Sequence, residues 1–196
     1  MKILNYFLIF IVLFSSCKKD KDEPVIQLAS NYGSGMYILT NDGISFFNYL
    51  AVDSLQTISK NIYQSVNNIN IIQPKSISIS GDKIYIVGDK IYIANIETFG
   101  NEGIIDIFSE PVDCKIIDPD RLYVVDRGDA SVKIIDINTN ELSGHIETGN
   151  NSSPISIEGS WYRAFVMNGG NDNFVDSSII SIDYFESGVV VNEFSK

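Results

Sequence analysis

The chain has 196 residues, of which 44% are hydrophobic and 20% are charged, and this length suffices for one domain with an apolar core. Its formal net charge of −11 produces a surface that repels nucleic acid and anionic lipid, so a nucleic-acid partner is not expected. Two cysteines and one histidine allow at most one disulfide bond and no cluster of the kind that zinc requires.

Residues 1–16 have the pattern of a secretory signal peptide. The apolar run Tyr6–Phe14 is shorter than the about 20 residues of a membrane-spanning helix, and two serines follow it. The next residue is Cys17, and the segment FSSC resembles a bacterial lipobox in which Phe14 replaces the usual Leu. The resemblance implies that Cys17 is the acylated first residue of a lipoprotein. An uncleaved anchor or an ordinary secreted protein is the alternative.

Residues 17–30 are predicted to form the acylated cysteine and a flexible tether, because Lys18–Glu23 contains no apolar residue. Acidic residues just after such a cysteine resemble the export signal of Bacteroidetes-type lipoproteins, although Lys18 and Lys19 depart from that pattern. The resemblance implies an outer-membrane location on the cell surface, with the periplasmic face as the alternative.

Short strands in four repeated units are predicted for residues 31–196, and the third unit is the clearest. In that unit Leu122–Val125 is an apolar run, Arg127–Ala130 has turn-forming residues, and Val132–Ile137 alternates between polar and apolar positions. A second turn leads into Leu142–Glu147. A sheet of this size cannot bury its own faces, so it must stack against neighbours of the same kind.

The repeat spacing predicts the architecture. One aromatic position recurs at intervals of about 40 residues, as Tyr37, Tyr85, Tyr123 and Phe165. We therefore predict an all-β fold of β-propeller-like repeats, with about four blades of four antiparallel strands. The stretch Ala51–Ile69 has apolar residues at helical spacing; it is predicted as strand and loop, with a short helix as the alternative.

The motifs Leu-Tyr-Val-Val-Asp at 122–126 and Ser-Val-Lys-Ile-Ile-Asp at 131–136 resemble the YVTN/YncE-like propellers. Gly35–Tyr49 resembles the start of the surface-lipoprotein branch of that group, which is found beside outer-membrane uptake systems. Complete members have about seven blades, so the resemblance favours a partial propeller over a closed four-bladed ring. A partial ring leaves apolar blade faces exposed at both ends.

Candidate ligand-binding residues surround the predicted strand that contains Phe165. Aromatic residues can stack on a sugar or a flat cofactor, and oxygen-rich loops on a rigid scaffold often carry binding. The alternatives are aromatic packing between blades and a solvated loop, and the loop spacing fits no calcium-binding EF-hand. The candidates are Trp161, Tyr162, Asn168, Asn171, Asp172 and Asp176.

Catalysis, a metal site and a bound cofactor are not expected. His145 lies in a predicted strand, and the chain has no second histidine and no nucleophile-elbow pattern. Cys114 is interpreted as a small buried thiol, and Arg127-Gly128-Asp129 as a hairpin turn, not an adhesion motif.

These patterns predict a non-enzymatic, lipid-anchored cell-envelope propeller that binds a small molecule or glycan. The family resemblance implies a link to an outer-membrane transporter, and some relatives bind corrinoids such as cobalamin. The alternative is a structural or protein–protein interaction module that pairs through exposed sheet edges.

Overall fold

The computed structural model describes residues 32–49, 58–149, 152–160, 163–170, 177–185 and 188–195. The predicted signal peptide (1–16) and tether (17–30) lie outside these residues. Among the described residues, no helix is long and apolar enough to cross a membrane.

The described chain forms four antiparallel sheets in which consecutive strands are neighbours. Sheet 1 contains β1 (Met36–Thr40), β2 (Gly43–Phe47) and β3 (Ile58–Ser59), and a helix α1 (Ile62–Asn67) follows it. Sheet 2 contains β4 (Ser76–Ser80), β5 (Lys83–Val87), β6 (Ile91–Asn95) and β7 (Asn101–Ile105). Sheet 3 contains β8 (Pro111–Asp118), β9 (Arg121–Asp126), β10 (Ser131–Asp136) and β11 (Glu141–Glu147). Sheet 4 contains β12 (Pro154–Ser160), β13 (Arg163–Gly169), β14 (Ser177–Phe185) and β15 (Gly188–Ser195). The predicted all-β, four-unit architecture is confirmed.

The β9–β10 hairpin shows why these residues form strands. Val125 lies opposite Val132, and Tyr123 lies opposite Ile134, so β-branched and aromatic side chains pair across the two strands. The turn at 127–130 places Ala130 at a φ of 49°. The predicted hairpin turn at Arg127-Gly128-Asp129 is confirmed.

Apolar side chains on both faces of the middle sheets hold neighbouring sheets together. In β9, Leu122 and Val124 pack against sheet 2, whereas Tyr123 and Val125 pack against sheet 4, and all four side chains are fully buried. Because side chains alternate across a strand, each middle sheet is apolar on both sides and needs two neighbours.

Hydrogen bonds between the first strands of successive sheets set the spacing of the units. The backbone N–H of Ile116 in β8 donates to Ser78 Oγ in β4 at 3.0 Å. The backbone N–H of Ile157 in β12 donates to Asp113 Oδ2 in β8 at 2.9 Å. The first strands therefore lie side by side, as blades do around a propeller axis.

Residues 62–67 form a helix, so the prediction of strand and loop for this part of Ala51–Ile69 is wrong. Asn61 and Asn68 bound the helix in left-handed conformations, which Asn tolerates better than most residues. Ile62 and Tyr63 are buried in the cluster between sheets 1 and 2. Asn67 fastens the helix to sheet 2, because its amide donates to Phe99 O at 2.9 Å and its Oδ1 accepts from Asn101 N at 2.7 Å.

Three apolar clusters join sheet 1 to sheet 2, sheet 2 to sheet 3, and sheet 3 to sheet 4. Within the described part of the chain, no buried cluster joins sheet 4 to sheet 1. The arrangement is consistent with a partial propeller.

Candidate functional site

One of the predicted ligand-binding residues, Asn168, lies in the described chain. Trp161, Tyr162, Asn171, Asp172 and Asp176 lie outside the described residues, as does the predicted acylation site, Cys17. The predictions for those residues stay predictions.

Asn168 lies near the end of β13 and is 2% exposed. Its Nδ2 donates to the carbonyl of Thr148 at 3.0 Å and to Ser178 Oγ at 2.8 Å. Its Oδ1 is buried and has no hydrogen-bond partner among the described residues. The described contacts of Asn168 fasten the linker between sheets 3 and 4 to the strands of sheet 4.

Asp126 occupies the corresponding position in sheet 3, three residues after the repeated aromatic position. Its carboxylate is fully buried and accepts hydrogen bonds from the backbone N–H groups of Ser109 (2.9 Å) and Glu110 (2.7 Å). Lys133 Nζ donates to the same carboxylate at 2.7 Å and to the carbonyl of Ile107 at 2.9 Å. Asp126 and Asn168 thus form hydrogen bonds with the backbone of the linkers that precede their own sheets. The sequence patterns did not reveal this role.

The electrostatics of Asp126 follow from these contacts. Burial of the carboxylate acts to raise its pKa, but the hydrogen bonds from Lys133 and the two backbone N–H groups outweigh it and hold the pKa below its usual range. Lys133 also pairs with the half-exposed Asp129. Because the contacts are made within the protein, the cluster suits a structural role.

The residues considered for catalysis lie apart from one another. His145 in β11 is exposed, with Nε2 at 3.4 Å from a carboxylate oxygen of Glu147. Cys114 is buried, and burial raises the pKa of its thiol above the usual range, which disfavours the reactive thiolate. Among the described residues, no group of three histidine, cysteine or acidic side chains could hold a metal ion.

The outer face of sheet 4, which faces away from sheet 3, carries an exposed apolar surface. Ala164 and Val166 of β13 are buried against sheet 3, so the alternating residues Phe165 and Met167 point the other way and are 45% and 48% exposed. Ile179 lies opposite Met167 in β14 and is also exposed. We call Ile155, Phe165, Met167 and Ile179 the sheet-4 face.

The repeats show what this face lacks. Phe165 corresponds to Tyr85 and Tyr123, which are fully buried against the following sheet. No described sheet follows sheet 4, so the side chain at the same repeat position remains half exposed. The spacing of the aromatic residues predicted this position, but Phe165 is half exposed because no sheet of the described residues packs on that side of sheet 4.

The sheet-4 face has a polar rim. Arg163 in β13 forms an ion pair with Asp183 in β14, directly across the strand pair, and Glu158 in β12 lies opposite Phe165. Glu158 also pairs with Lys115 of β8 at 2.8 Å. An apolar centre with charged residues at its edge has the composition of a protein–protein interface.

No protein-family model and no curated protein matches this chain. Solved structures do match it. Hydrazine synthase from Kuenenia stuttgartiensis is 17% identical with a TM-score of 0.65, and the match covers 86% of this chain and 49% of that one. Virginiamycin B lyase from Staphylococcus aureus is 13% identical with a TM-score of 0.57, covering 85% of this chain and 55% of that one. BamB from Moraxella catarrhalis is 13% identical with a TM-score of 0.51, covering 83% and 45%.

These matches establish the β-propeller fold, which confirms that part of the family resemblance. The narrower assignment to the YncE-like surface-lipoprotein branch stays a prediction. The chain spans about half the length of the structures that it matches.

Replacing Asp126 tests the linker anchor, with Asp129 as the matched control because both carboxylates bind Lys133. We expect Asp126→Asn to lower the free energy of unfolding by about 3–5 kcal/mol, since it removes the fully buried carboxylate that pairs with the largely buried Lys133. Asp129→Asn removes a half-exposed pair and should cost at most about 1 kcal/mol. Urea unfolding followed by circular dichroism measures both values, and equal losses would contradict the assigned role.

The acid dependence of stability gives a second readout of the same pair. Asp126 binds its proton more weakly in the folded than in the unfolded chain, so its contribution is present above the unfolded pKa of about 4 and is lost as the pH falls. The stability of Asp126→Asn should therefore decline less steeply on acidification than that of the unmodified protein.

Proposed function

We propose that this chain is a non-enzymatic protein-interaction module that binds its partner through the sheet-4 face. The main observation behind the proposal is that the side chains of Phe165 and Met167 are about half exposed. At the corresponding positions of sheet 3, Tyr123 and Val125 are completely buried. An apolar surface of this kind, with a polar rim, is typical of protein interaction sites.

Burial of the sheet-4 face by a partner makes a favourable contribution to the free energy of binding. The four side chains together expose about 300 Å² of apolar surface, and its burial contributes roughly 7 kcal/mol before the entropic cost of association. The same energy makes the uncovered face prone to aggregation, so a partner that covers it also improves solubility.

The partner is expected to present an apolar β-sheet face. Inside the chain, sheets 2, 3 and 4 pack through aromatic and β-branched side chains that stand out from each strand. The sheet-4 face offers side chains of the same kind, so it is suited to another sheet.

Two residues support the non-enzymatic part of the proposal. The exposed His145 has Glu147 as its nearby acidic neighbour, and the thiol of Cys114 is buried with a raised pKa. In the described chain, Cys114 lies on β8 and His145 on β11, the two edge strands of sheet 3, so the thiol and the imidazole do not form a nucleophile–base pair.

Photo-crosslinking in cells tests the interaction surface. The full chain is produced with benzoylphenylalanine in place of Phe165, and with the same amino acid in place of Leu142 as the control. Leu142 is 50% exposed on β11, the last strand of sheet 3, so it matches Phe165 in exposure but lies on a different surface. We expect a discrete crosslinked protein product from position 165 only. The same pattern from both positions, or none from position 165, would contradict the proposal.

We further propose that the module is attached to the cell envelope through Cys17. Its support is the short apolar segment ending in two serines before Cys17, together with the charged stretch after it. Outer-membrane attachment would place the sheet-4 face near membrane-associated proteins, including a transporter.

Replacing Cys17 tests the anchor. The unmodified chain should partition into the membrane fraction and incorporate radiolabelled palmitate, whereas Cys17→Ser should lose the label. Cys114→Ser is the control, because the buried Cys114 thiol should not carry the lipid. Retention of the label in Cys17→Ser would rule out acylation at that residue.

Capture of a small molecule or glycan, with a corrinoid as the named candidate, is the second proposed function. It rests on the adjacent aromatic residues Trp161 and Tyr162 and on the polar residues Asn171, Asp172 and Asp176 that follow Asn168.

Fluorescence tests this second function directly, because Trp161 is the single tryptophan of the chain. Titration with cobalamin, and separately with a soluble oligosaccharide, should change the Trp161 emission in a saturable way if the aromatic pair binds the ligand. Asp172→Ala should weaken that response if the loop takes part. A linear response with either ligand would count against capture.

A further inference from the structure

We infer that the partner of the sheet-4 face is a second copy of this chain, whose sheet 1 covers it. The inference rests on the proposed function and names the partner of the same surface. The two copies close into one ring, in which sheet 4 of each copy packs on sheet 1 of the other.

Sheet 1 supplies the complementary surface. Tyr37 and Leu39 of β1 pack towards sheet 2, so the alternating Met36 and Ile38 face away from it. Met36 is 56% exposed, and Ile58, which pairs with Phe47 at the edge of the sheet, is 49% exposed. We call Met36, Ile38, Phe47 and Ile58 the sheet-1 face.

The repeats show that the sheet-1 face is built to receive a preceding sheet. Met36 and Ile38 occupy the positions of Leu122 and Val124 in sheet 3, one residue before and one residue after the repeated aromatic position. Leu122 and Val124 are fully buried against sheet 2, which precedes sheet 3 in the chain. In sheet 1 the same two positions have no preceding sheet among the described residues.

The internal junctions show how the two faces would meet. Between sheets 2 and 3, Tyr85 shares a buried cluster with Leu122 and Val124. Between sheets 3 and 4, Tyr123 shares a buried cluster with Ala164 and Val166. The corresponding contact between copies brings Phe165 against Met36 and Ile38, so it continues a packing mode already used twice within the chain.

The two faces lie on opposite ends of the row of four sheets, as closure of a two-copy ring requires. The contact joins different surfaces, and such contacts produce either closed rings or open filaments. Two copies contribute eight sheets, which lies within the four to eight blades typical of propellers. The matches cover 49%, 55% and 45% of the three solved structures described above, so each of those chains is longer than this one.

The net charge of −11 on each copy opposes association, because the two copies repel each other. Salt screens this repulsion and leaves apolar contacts intact. The pairing of two copies should therefore strengthen as the salt concentration rises.

Co-isolation of two differently tagged full-length copies from one host tests the inference. We expect each copy to recover the other, and Phe165→Asp or Met36→Lys, present in both copies, to reduce recovery by about tenfold or more, because an unpaired charge is then buried in the junction. Leu142→Asp, at a similarly exposed position off both faces, should leave recovery unchanged.

A charge exchange adds a control that misfolding cannot imitate. When one copy carries Phe165→Asp and the other carries Met36→Lys, one junction of the ring pairs the two charges and the other junction is unmodified. Recovery should then rise again relative to either variant alone.

Absence of co-isolation for the unmodified chain would overturn the second-copy inference. If position 165 then gave a crosslinked product with a different protein, the proposed function as an interaction module would still be supported. No co-isolation together with no crosslink from position 165 would overturn both. Recovered assemblies that contain more than two copies would indicate a filament and would overturn ring closure.

Discussion

The fold depends on one constraint, which is that the middle sheets are apolar on both faces. In β9, Leu122 and Val124 face one neighbour while Tyr123 and Val125 face the other, and none of them reaches solvent. A sheet of this kind is stable only between two others, so a row of them must close on itself or have its ends covered. The exposure of Phe165 and Met167 at one end, and of Met36 and Ile58 at the other, follows directly from this constraint.

Polar contacts fix the relative positions of the sheets, whereas apolar contacts supply most of the energy that stabilises their packing. Asp113 and Ser78 hold the first strands of successive sheets together, and Asp126 and Asn168 grip the linkers that enter their own sheets. Because these side chains are buried or partly buried and mostly satisfied, the spacing of the units is set before any partner binds. The end faces are thus presented by a preformed scaffold, which lowers the ordering cost of covering them.

Much of the architecture could be predicted from the sequence, because strand alternation and repeat spacing are local properties. The β9–β10 hairpin and the recurrent aromatic position are examples. The helix at 62–67 was missed because Asn61 and Asn68 look unfavourable for a helix, yet they bound it in left-handed conformations and Asn67 bonds to sheet 2. The exposure of Phe165 could not be predicted, since its sequence environment is that of Tyr123 and only the number of neighbouring sheets distinguishes them.

The two methionines of the described chain allow a direct test of the central claim, since Met36 lies on the sheet-1 face and Met167 on the sheet-4 face. Exposed methionine oxidises readily, whereas methionine in a dry junction is protected. Dilute peroxide treatment of the full chain over a range of concentrations, followed by peptide mass spectrometry, gives the oxidation rate of each residue. Joint protection of Met36 and Met167 with one midpoint is predicted. Equal oxidation at all concentrations, or protection of one residue alone, would contradict a second copy covering both faces.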